Sequence, residues 1–243
     1  MKILSVDITE KEKNKLLDEF NNLDSGYICV TSVHGLIEAY ENEETNSAFS
    51  NSYANVPDGM PIVYFARWFK KIKMNRITGP EFIYDVLNML NNNNNSISTI
   101  GSDEKTIKQF NRFVNTTYKN IKINQHDTSF IDINSPEDIK NIIKFCADNN
   151  SDYFFIFLST PKQDLLMYHI NNALSSKLIG FGAAVDYIVG NTNYAPNIIK
   201  KLSLEWLYRL YQEPKRLYKR YINIVPKFFI YLLYSYFENL KKS

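Results

Sequence analysis

The sequence predicts an α/β fold: a mostly parallel, Rossmann-like sheet with helices on both faces, followed by a helical C-terminal appendage. Short apolar runs rich in β-branched and aromatic residues recur up to Gly182, segments with helical periodicity separate them, and only helical patterns follow Pro196. Strands that alternate with crossover helices favour a parallel sheet that is covered on both faces. We therefore divide the chain into an α/β domain, residues 1–195, and an appendage, residues 196–243.

Five apolar runs are predicted as strands. In chain order they are YICVTS (27–32), SISTIGS (96–102), NIKINQ (120–125), YFFIFLS (153–159) and KLIGFG (177–182). Two helix starts between them carry clear signals. SPED, from Ser135, offers an N-cap, a proline at the first helical position and two acidic residues. TPKQD offers a similar start, with Thr160 and Gln163 spaced as a capping box.

The composition indicates a globular chain, because 44% of its 243 residues are hydrophobic and 22% are charged. A net charge of +2 does not indicate a nucleic-acid-binding protein. The two cysteines, Cys29 and Cys146, lie in apolar segments and are interpreted as reduced core thiols. The N-terminus lacks the apolar region of a signal peptide, and the longest apolar stretch, 228–237, is shorter than the ~20 residues of a membrane span. We expect a cytoplasmic protein.

In an open parallel sheet, ligands bind beyond the carboxyl ends of the strands. The chain contains neither G-x-G-x-x-G nor G-x-x-x-x-G-K-[ST], which argues against a dehydrogenase and a P-loop ATPase. It has no D-x-D pair, and its three histidines lack metal-ligand spacing. We therefore expect no metal and no cofactor, and assign phosphate binding to helix N-termini and to Arg or Lys side chains.

Seven segments of the chain carry a family resemblance. They are, in order, VTSVHGLIEA, VPDGMPIVYFAR, RITGPEF, TPKQD, GFGAAVDYIVG, YAP and LEWLYRLYQEPKRLYKRY. Over residues 27–221 this series resembles the WecG/TagA/CpsF glycosyltransferases. The resemblance implies an inverting, metal-independent enzyme that transfers a sugar from a nucleotide-diphosphate donor to a polyprenyl-diphosphate-linked sugar. The donor would be UDP-linked, such as UDP-N-acetylmannosamine, and the product a teichoic acid, enterobacterial common antigen or capsular polysaccharide.

The resemblance implies that Asp58 is the catalytic base. It lies between Pro57 and Pro61, beside Gly59, and matches the aspartate that takes the proton of the acceptor hydroxyl. Inversion by a single displacement needs one such carboxylate. From the residues alone, a Pro-Asp-Gly turn whose aspartate caps a helix near Met60 explains the same pattern.

Other matches imply substrate contacts. They are Thr31, Arg76, Gly79, Thr160, Lys162, Gln163, Arg209, Arg216 and Arg220. Thr31 has a structural alternative at the end of a strand, Arg76 as an ordinary surface arginine, and Gln163 as a capping residue. For Gln163, capping the helix and contacting the substrate are compatible, since a capped helix N-terminus still presents N–H groups to an anion.

Several positions depart from the family pattern. Val33 stands where members often carry Asn, Leu158 and Ser159 replace a glycine-rich stretch, Asp164 replaces Glu, and Tyr194 replaces Arg. These departures bear on the donor sugar, and they keep a second hypothesis open. In that hypothesis the chain is a catalytically silent sugar-nucleotide-binding or scaffold subunit of a polysaccharide-assembly complex. A homo-oligomer is compatible with either.

The appendage concentrates positive charge. The segment from Lys200 to Lys227 contains eight basic and two acidic residues, which gives it a net charge of +6. The segment 222–243 is aromatic and aliphatic and ends in two lysines, which favours a position in the interface of a membrane. We expect peripheral association with the inner face of the cell membrane. The alternative is that these helices only pack on the domain or on another subunit.

Three arginines of the appendage recur at spacings of seven and four. Arg209, Arg216 and Arg220 would share similar faces of one continuous helix, unless Pro214 interrupts it. We predict that they neutralise a diphosphate of the lipid carrier or of the leaving nucleotide.

Overall fold

The computed structural model describes residues 1–242, and the side chains of residues 1–235. Two short strands, β1 (Lys2–Ile3) and β2 (Val6–Asp7), form an antiparallel hairpin. Six parallel strands then build the central sheet: β3 (Gly26–Thr31), β4 (Ala54–Pro57), β5 (Ser96–Gly101), β6 (Lys122–Asp127), β7 (Tyr153–Phe157) and β8 (Lys177–Gly180). Their spatial order is β4–β3–β8–β7–β5–β6, and all five pairings are parallel.

Helices cover both faces of the sheet, as the sequence predicts. Those of the α/β domain are α1 (Lys13–Asn21), α2 (Val33–Glu41), α3 (Glu43–Ser50), α4 (Met60–Tyr64), α5 (Gly79–Asn93), α6 (Glu104–Thr117), α7 (Pro136–Asn149), α8 (Lys162–Asn171) and α9 (Val185–Ile188). Apolar residues of α1, α5 and α6 share one core, and those of α2, α3, α7 and α8 share the core on the opposite face. This division follows from right-handed crossovers, which change face when the chain reverses direction across the sheet.

The five predicted strands are confirmed as β3, β5, β6, β7 and β8. The sequence patterns do not predict β4 or the N-terminal hairpin. Strand β4 has only four residues, of which one is a buried asparagine and the last a proline, so it lacks the apolar run that marks a strand. The hairpin strands have two residues each, too few to show alternation.

Both predicted helix starts are confirmed, but the cap predicted for one of them is wrong. The hydroxyl of Ser135 accepts the backbone N–H of Asp138 at 3.2 Å and caps α7 as expected. At α8, however, Pro161 occupies the N-cap position and no side chain caps the helix. A pyrrolidine ring carries no acceptor, so the capping box predicted for Thr160 and Gln163 does not form.

The appendage consists of α10 (Asn197–Lys201), α11 (Glu205–Gln212) and α12 (Pro214–Lys242). Pro214 begins α12, so Arg209 lies on a different helix from Arg216 and Arg220, and the spacing of seven and four does not place them on one face. Within the described residues, no helix is long and apolar enough to cross a membrane. The side chains of the two terminal lysines fall outside the residues whose side chains are described.

Helix α12 packs on the α/β domain. Leu217, Ile224 and Phe228 are buried, and the last two belong to the core beneath α2. The ammonium group of Lys227 lies 2.7 and 3.0 Å from the two carboxylate oxygens of Glu41, at the end of α2. Packing on the domain, the alternative to membrane association, therefore accounts for one side of α12.

Asn55 ties the N-terminal hairpin to β4. Its side-chain amide donates to the carbonyls of Asp7 at 3.0 Å and Phe49 at 2.9 Å, and its side-chain oxygen accepts the hydroxyl of Ser52 at 3.1 Å. Its own carbonyl accepts the backbone N–H of Thr9 at 2.9 Å. Asn55 is buried, so these bonds have no competition from water. They fix β4, the strand that ends immediately before Asp58.

We expect Asn55→Leu to lower the free energy of unfolding by roughly 1–3 kcal/mol, because it removes three hydrogen bonds of a buried side chain. Urea unfolding followed by circular dichroism measures this. Asn51→Leu is the matched control: Asn51 is exposed and its amide donates to one carbonyl, of Ser47. Its substitution should change stability by no more than about 0.5 kcal/mol. Equal effects of the two substitutions would contradict the role of Asn55.

Candidate active site

The carboxyl ends of β3 and β4 lie side by side at one edge of the sheet, and we call the space beside them the crevice. Thr31 ends β3 and pairs with Pro57 at the end of β4. The backbone N–H of Asp58 donates to the carbonyl of Thr31 at 2.9 Å, which continues the pairing one residue beyond the strand. The hydroxyl of Thr31 donates back to the carbonyl of Cys29 at 3.3 Å and the residue is buried, which favours the structural alternative for it.

The carboxylate of Asp58 lies in the crevice with 28% of its side chain exposed. Burial raises its pKa above the ordinary value, and the positive charges of Arg76 and Arg209 offset only part of that effect. Helix α4 begins after Gly59, and no side chain caps it. The alternative in which Asp58 caps this helix is therefore wrong, and its carboxylate is available to a ligand.

Arg76 joins the α/β domain to the appendage. One terminal nitrogen of its guanidinium lies 3.8 Å from the carboxylate of Asp58, and the other donates to the carboxylate of Glu205 at the start of α11. Its Nε atom is buried and, among the described residues, has no hydrogen-bond partner. The sequence does not single out Glu205, although it is one of only two acidic residues between Lys200 and Lys227.

Gly79 leaves space beside the Asp58 carboxylate. It is the first residue of α5, and a Cβ atom at this position would lie 3.8 Å from Oδ2 of Asp58 and 3.1 Å from the Cβ of Ala184. The second distance is tighter than ordinary packing. The absence of a side chain therefore lets the N-terminus of α5 approach both Asp58 and the loop after β8.

Gln163 packs against the end of β8. Its side chain is 3% exposed, its amide nitrogen donates weakly to the hydroxyl of Thr160 at 3.4 Å, and its Oε1 has no partner among the described residues. A Cβ at Gly182, which has φ +57°, would lie 3.7 Å from this Oε1. Lys162 is exposed, and its ammonium group lies 5.2 Å from the ring centroid of Phe130. No contact joins Lys162 to Asp58 within the described part of the chain.

Asp164, the residue after Gln163, is fully buried. Among the described residues, no donor meets the full hydrogen-bond geometry at either carboxylate oxygen. Burial raises the pKa of Asp164 to about 7, and the Thr160 hydroxyl and Cys29 thiol offset part of that rise. The carboxyl group is therefore partly protonated near neutral pH.

The three predicted arginines of the appendage occupy different places. The guanidinium of Arg209 lies 5.7 Å from the ring centroid of Tyr187, and its charge lowers the pKa of Asp58. Arg216 is largely exposed and pairs with Glu213 at 2.5 Å. Of the three, Arg209 is the one whose charge contributes most to the pKa of this carboxylate.

Arg220 lies beside His34, at the start of α2. Burial lowers the pKa of Arg220, and burial together with the charge of Arg220 lowers the pKa of His34 to about 4. His34 is therefore neutral at neutral pH, and its Nε2 lies 3.0 Å from Glu38. Sequence reasoning did not identify His34 or Tyr187 as site residues, because their relation to the arginines depends on how the appendage docks.

Two departures from the family pattern lie near the crevice. Val33 is the first residue of α2, and its Cγ2 would lie 3.9 Å from a Cβ at Gly59. The ring of Tyr194 lies 5.1 Å from that of Tyr187, between centroids.

Among the side chains described, no group of three or more His, Cys, Asp or Glu is placed to hold a metal ion.

Comparison with known proteins matches residues 1–242 to the model of the glycosyl transferase WecG/TagA/CpsF family. An N-acetylglucosaminyldiphosphoundecaprenol N-acetyl-beta-D-mannosaminyltransferase of Bacillus subtilis (strain 168) is 28% identical over 196 residues, 80% of this chain and 74% of the relative. A protein of the same name from Staphylococcus aureus (strain MW2) is 26% identical over 189 residues, 77% of this chain and 71% of the relative.

We expect Asp164→Asn to stabilise the protein, and to do so more as the pH rises. The unfolded chain releases the proton of Asp164 near its ordinary pKa of 3.8, whereas the folded protein holds it to about pH 7. The wild type therefore loses stability across this window, by up to about 1.4 kcal/mol per pH unit, and the amide does not. Thermal unfolding of both proteins from pH 5 to pH 8 measures the difference.

The control for this experiment is Asp148→Asn, at an exposed position of α7. It should leave the pH dependence of the melting temperature close to that of the wild type. If the advantage of Asp164→Asn stayed constant across the pH range, the carboxyl group would not titrate as its burial implies.

Proposed function

The chain belongs to the glycosyl transferase WecG/TagA/CpsF family, and on this premise we propose that it transfers a sugar from a nucleotide-diphosphate donor to a polyprenyl-diphosphate-linked sugar. The names of its relatives favour N-acetylmannosamine as the transferred sugar and N-acetylglucosaminyl-diphosphate-undecaprenol as the acceptor. We assign the donor as UDP-linked and the product to teichoic acid synthesis. The reaction inverts the anomeric centre and uses neither a metal nor a cofactor.

In this mechanism the acceptor hydroxyl attacks the anomeric carbon of the donor. The new C–O bond forms as the bond from that carbon to the donor phosphate breaks, and the nucleoside diphosphate leaves with the electron pair. The hydroxyl proton passes to the carboxylate of Asp58, which acts as general base. A raised pKa suits this role, because a carboxylate that is partly withdrawn from water is a better proton acceptor.

The observation that carries the proposal is the setting of Asp58 beside Arg76 and Arg209. Two permanent cations near one carboxylate provide charge for a diphosphate leaving group next to the base. In the structure, one terminal nitrogen of Arg76 donates a hydrogen bond to the carboxylate of Glu205. A bound diphosphate would therefore compete with that carboxylate for the guanidinium. The N-terminus of α5, at Gly79, adds backbone N–H groups on the same side.

The competing hypothesis is a silent sugar-nucleotide-binding or scaffold subunit. It draws on Val33 and Tyr194, which stand where many members carry other residues. A scaffold has no need of a carboxylate that is withdrawn from water and open to a crevice, or of an appendage that brings a second arginine to it. These features favour the enzyme.

We also propose that the appendage binds the inner surface of the cell membrane, where a polyprenyl acceptor resides. The outer side of α12 carries exposed apolar residues at spacings of four, three, four and four: Tyr218, Ile222, Val225, Phe229 and Leu233. This spacing forms one stripe on a helix. The stripe lies beside the buried contact with α2, and exposed basic residues such as Lys215 and Lys219 flank it, an arrangement that suits an interfacial helix.

We expect Asp58→Asn to reduce turnover by about 10²–10⁴-fold, because the amide keeps the shape of the carboxylate but is not a base. The assay measures release of the nucleoside diphosphate from UDP-N-acetylmannosamine in the presence of a short-chain polyprenyl-diphosphate N-acetylglucosamine. Donor binding, measured by calorimetry, should be nearly unchanged, and Asp148→Asn should retain full activity. Near-normal turnover by Asp58→Asn would remove Asp58 from the mechanism.

We expect turnover to survive an excess of EDTA, because Arg76 and Arg209 supply the positive charge that a divalent cation would otherwise provide. The rate is compared before and after the chelator is added, and again after Mg²⁺ or Mn²⁺ is restored. A loss of activity that either ion reverses would show that the reaction depends on a metal.

A further inference from the structure

A short turn beyond the candidate base presents two aromatic side chains to solvent. Helix α4 begins two residues after Asp58 and continues into a π-helical turn, Phe65–Phe69. Trp68 and Phe69 are 69% and 68% exposed. Single exposed apolar residues are common on protein surfaces, but two adjacent large aromatics at this exposure indicate a partner.

The turn is held in this shape by its own contacts. The ring of Trp68 stacks on Tyr64 at 4.6 Å between centroids, and the ring of Phe69 stacks on Phe65 at 5.4 Å. The guanidinium of Arg67 closes the segment by donating twice to the carbonyl of Met74, at 3.0 and 2.8 Å. The two outer rings are therefore supported from beneath and directed outward.

The surrounding charge is of one sign. From Gly59 to Pro80 the chain has five basic residues and no acidic one. Two of the five have partners: Arg67 at the carbonyl of Met74 and Arg76 at Glu205. The other three, Lys70, Lys71 and Lys73, are exposed and form no ion pair with any side chain among residues 1–235. Aromatic rings beside unpaired lysines match the composition of segments that enter an anionic lipid interface.

The turn adjoins the outer surface of the appendage. The hydroxyl of Tyr64 lies 2.7 Å from the hydroxyl of Ser203, between α10 and α11. Ser203 is flanked by the exposed side chains of Leu202 and Leu204. An exposed apolar surface therefore continues from the aromatic turn onto the appendage, where the stripe of α12 provides the contact already proposed.

We propose that Trp68 and Phe69, with Lys70, Lys71 and Lys73, form a second membrane-contact site that inserts into an anionic lipid surface. The occupant is the lipid interface rather than a protein, because the site combines apolar rings with positive charge and no acid. Two separated contacts, this turn and α12, would fix the tilt of the protein on the membrane. Met60 and Trp68 lie eight positions apart, about 12 Å at a helical rise, so the crevice would stand close to the headgroups. This orientation rests on the proposed function.

The test uses the fluorescence of Trp68. The chain has two tryptophans, Trp68 and Trp206, so Trp206→Phe leaves Trp68 as the sole reporter. With vesicles that contain phosphatidylglycerol, we expect the emission to shift to the blue and brominated acyl chains to quench it. Vesicles of phosphatidylcholine alone should give a smaller effect. Unchanged Trp68 emission on vesicles that nevertheless bind the protein would overturn the proposal.

Substitution provides a second measurement. Trp68→Ser combined with Phe69→Ser, and separately the change of the three lysines to Gln, should each weaken vesicle partitioning by about tenfold or more. Phe130→Ser is the matched control: Phe130 is 83% exposed and follows β6, at the opposite edge of the sheet from β4. It should leave partitioning unchanged. Equal partitioning of the turn variants and wild type would overturn the proposal.

Two further outcomes separate this proposal from its alternatives. Sedimentation of the wild type and the turn variants tests whether the site instead contacts a second copy of the chain. If the wild type were an oligomer and the turn variants were monomers with unchanged vesicle binding, that contact would be favoured and the membrane role overturned. Turnover of a water-soluble acceptor by the turn variants should equal that of the wild type. If the wild type bound vesicles through Trp68 but turned over no acceptor, the proposed function would fail while this membrane contact stood.

Discussion

The geometry of the crevice depends on the parallel pairing of β3 with β4. This pairing sets Thr31 beside Pro57 and extends by one backbone hydrogen bond to Asp58. Since helices bury both faces of the sheet, polar side chains can reach a ligand only at the edge where the strands end. Asp58, the N-terminus of α5 and the loop after β8 meet at that edge. A shift of β4 in register would move all of these contacts.

Opposing electrostatic effects act on two carboxylates of this region, the half-buried Asp58 and the buried Asp164. Asp58 is partly withdrawn from water but lies near Arg76 and Arg209, whose charges compensate part of the cost of ionisation. Asp164 forms no ion pair with the described side chains, and burial raises its pKa to about 7. The two residues are therefore suited to different roles: Asp58 can accept a proton from a ligand, whereas Asp164 is enclosed by protein. The difference arises from the appendage and from the segment before α5, which bring arginines to one carboxylate and not to the other.

The two sides of the appendage differ in exposure. Its inner side meets the domain through Ile224, Phe228 and the Lys227–Glu41 pair, and through the contact of Glu205 with Arg76. Its outer side carries exposed apolar residues. The predicted alternatives of packing on the domain and facing a membrane are thus compatible, because adjacent residues on a helix point about 100° apart. The boundary between residues 195 and 196 remains a prediction.

The sequence by itself determined the strands with long apolar runs, the alternation that makes the sheet parallel, the cap at Ser135 and the order of motifs that marks the family. These features depend on neighbouring residues, so local patterns report them. The sequence did not reveal β4, whose stability comes from its neighbours and from Asn55, and it wrongly assigned a cap to Thr160. Only the tertiary structure decided that Glu205 meets Arg76 and that the charge of Arg209 lowers the pKa of Asp58. It also decided that, within the described part of the chain, Lys162 does not contact Asp58 and Asp164 is buried without a hydrogen-bond partner. Contacts between distant segments and the removal of water set these features, and neither is encoded at a fixed spacing along the chain.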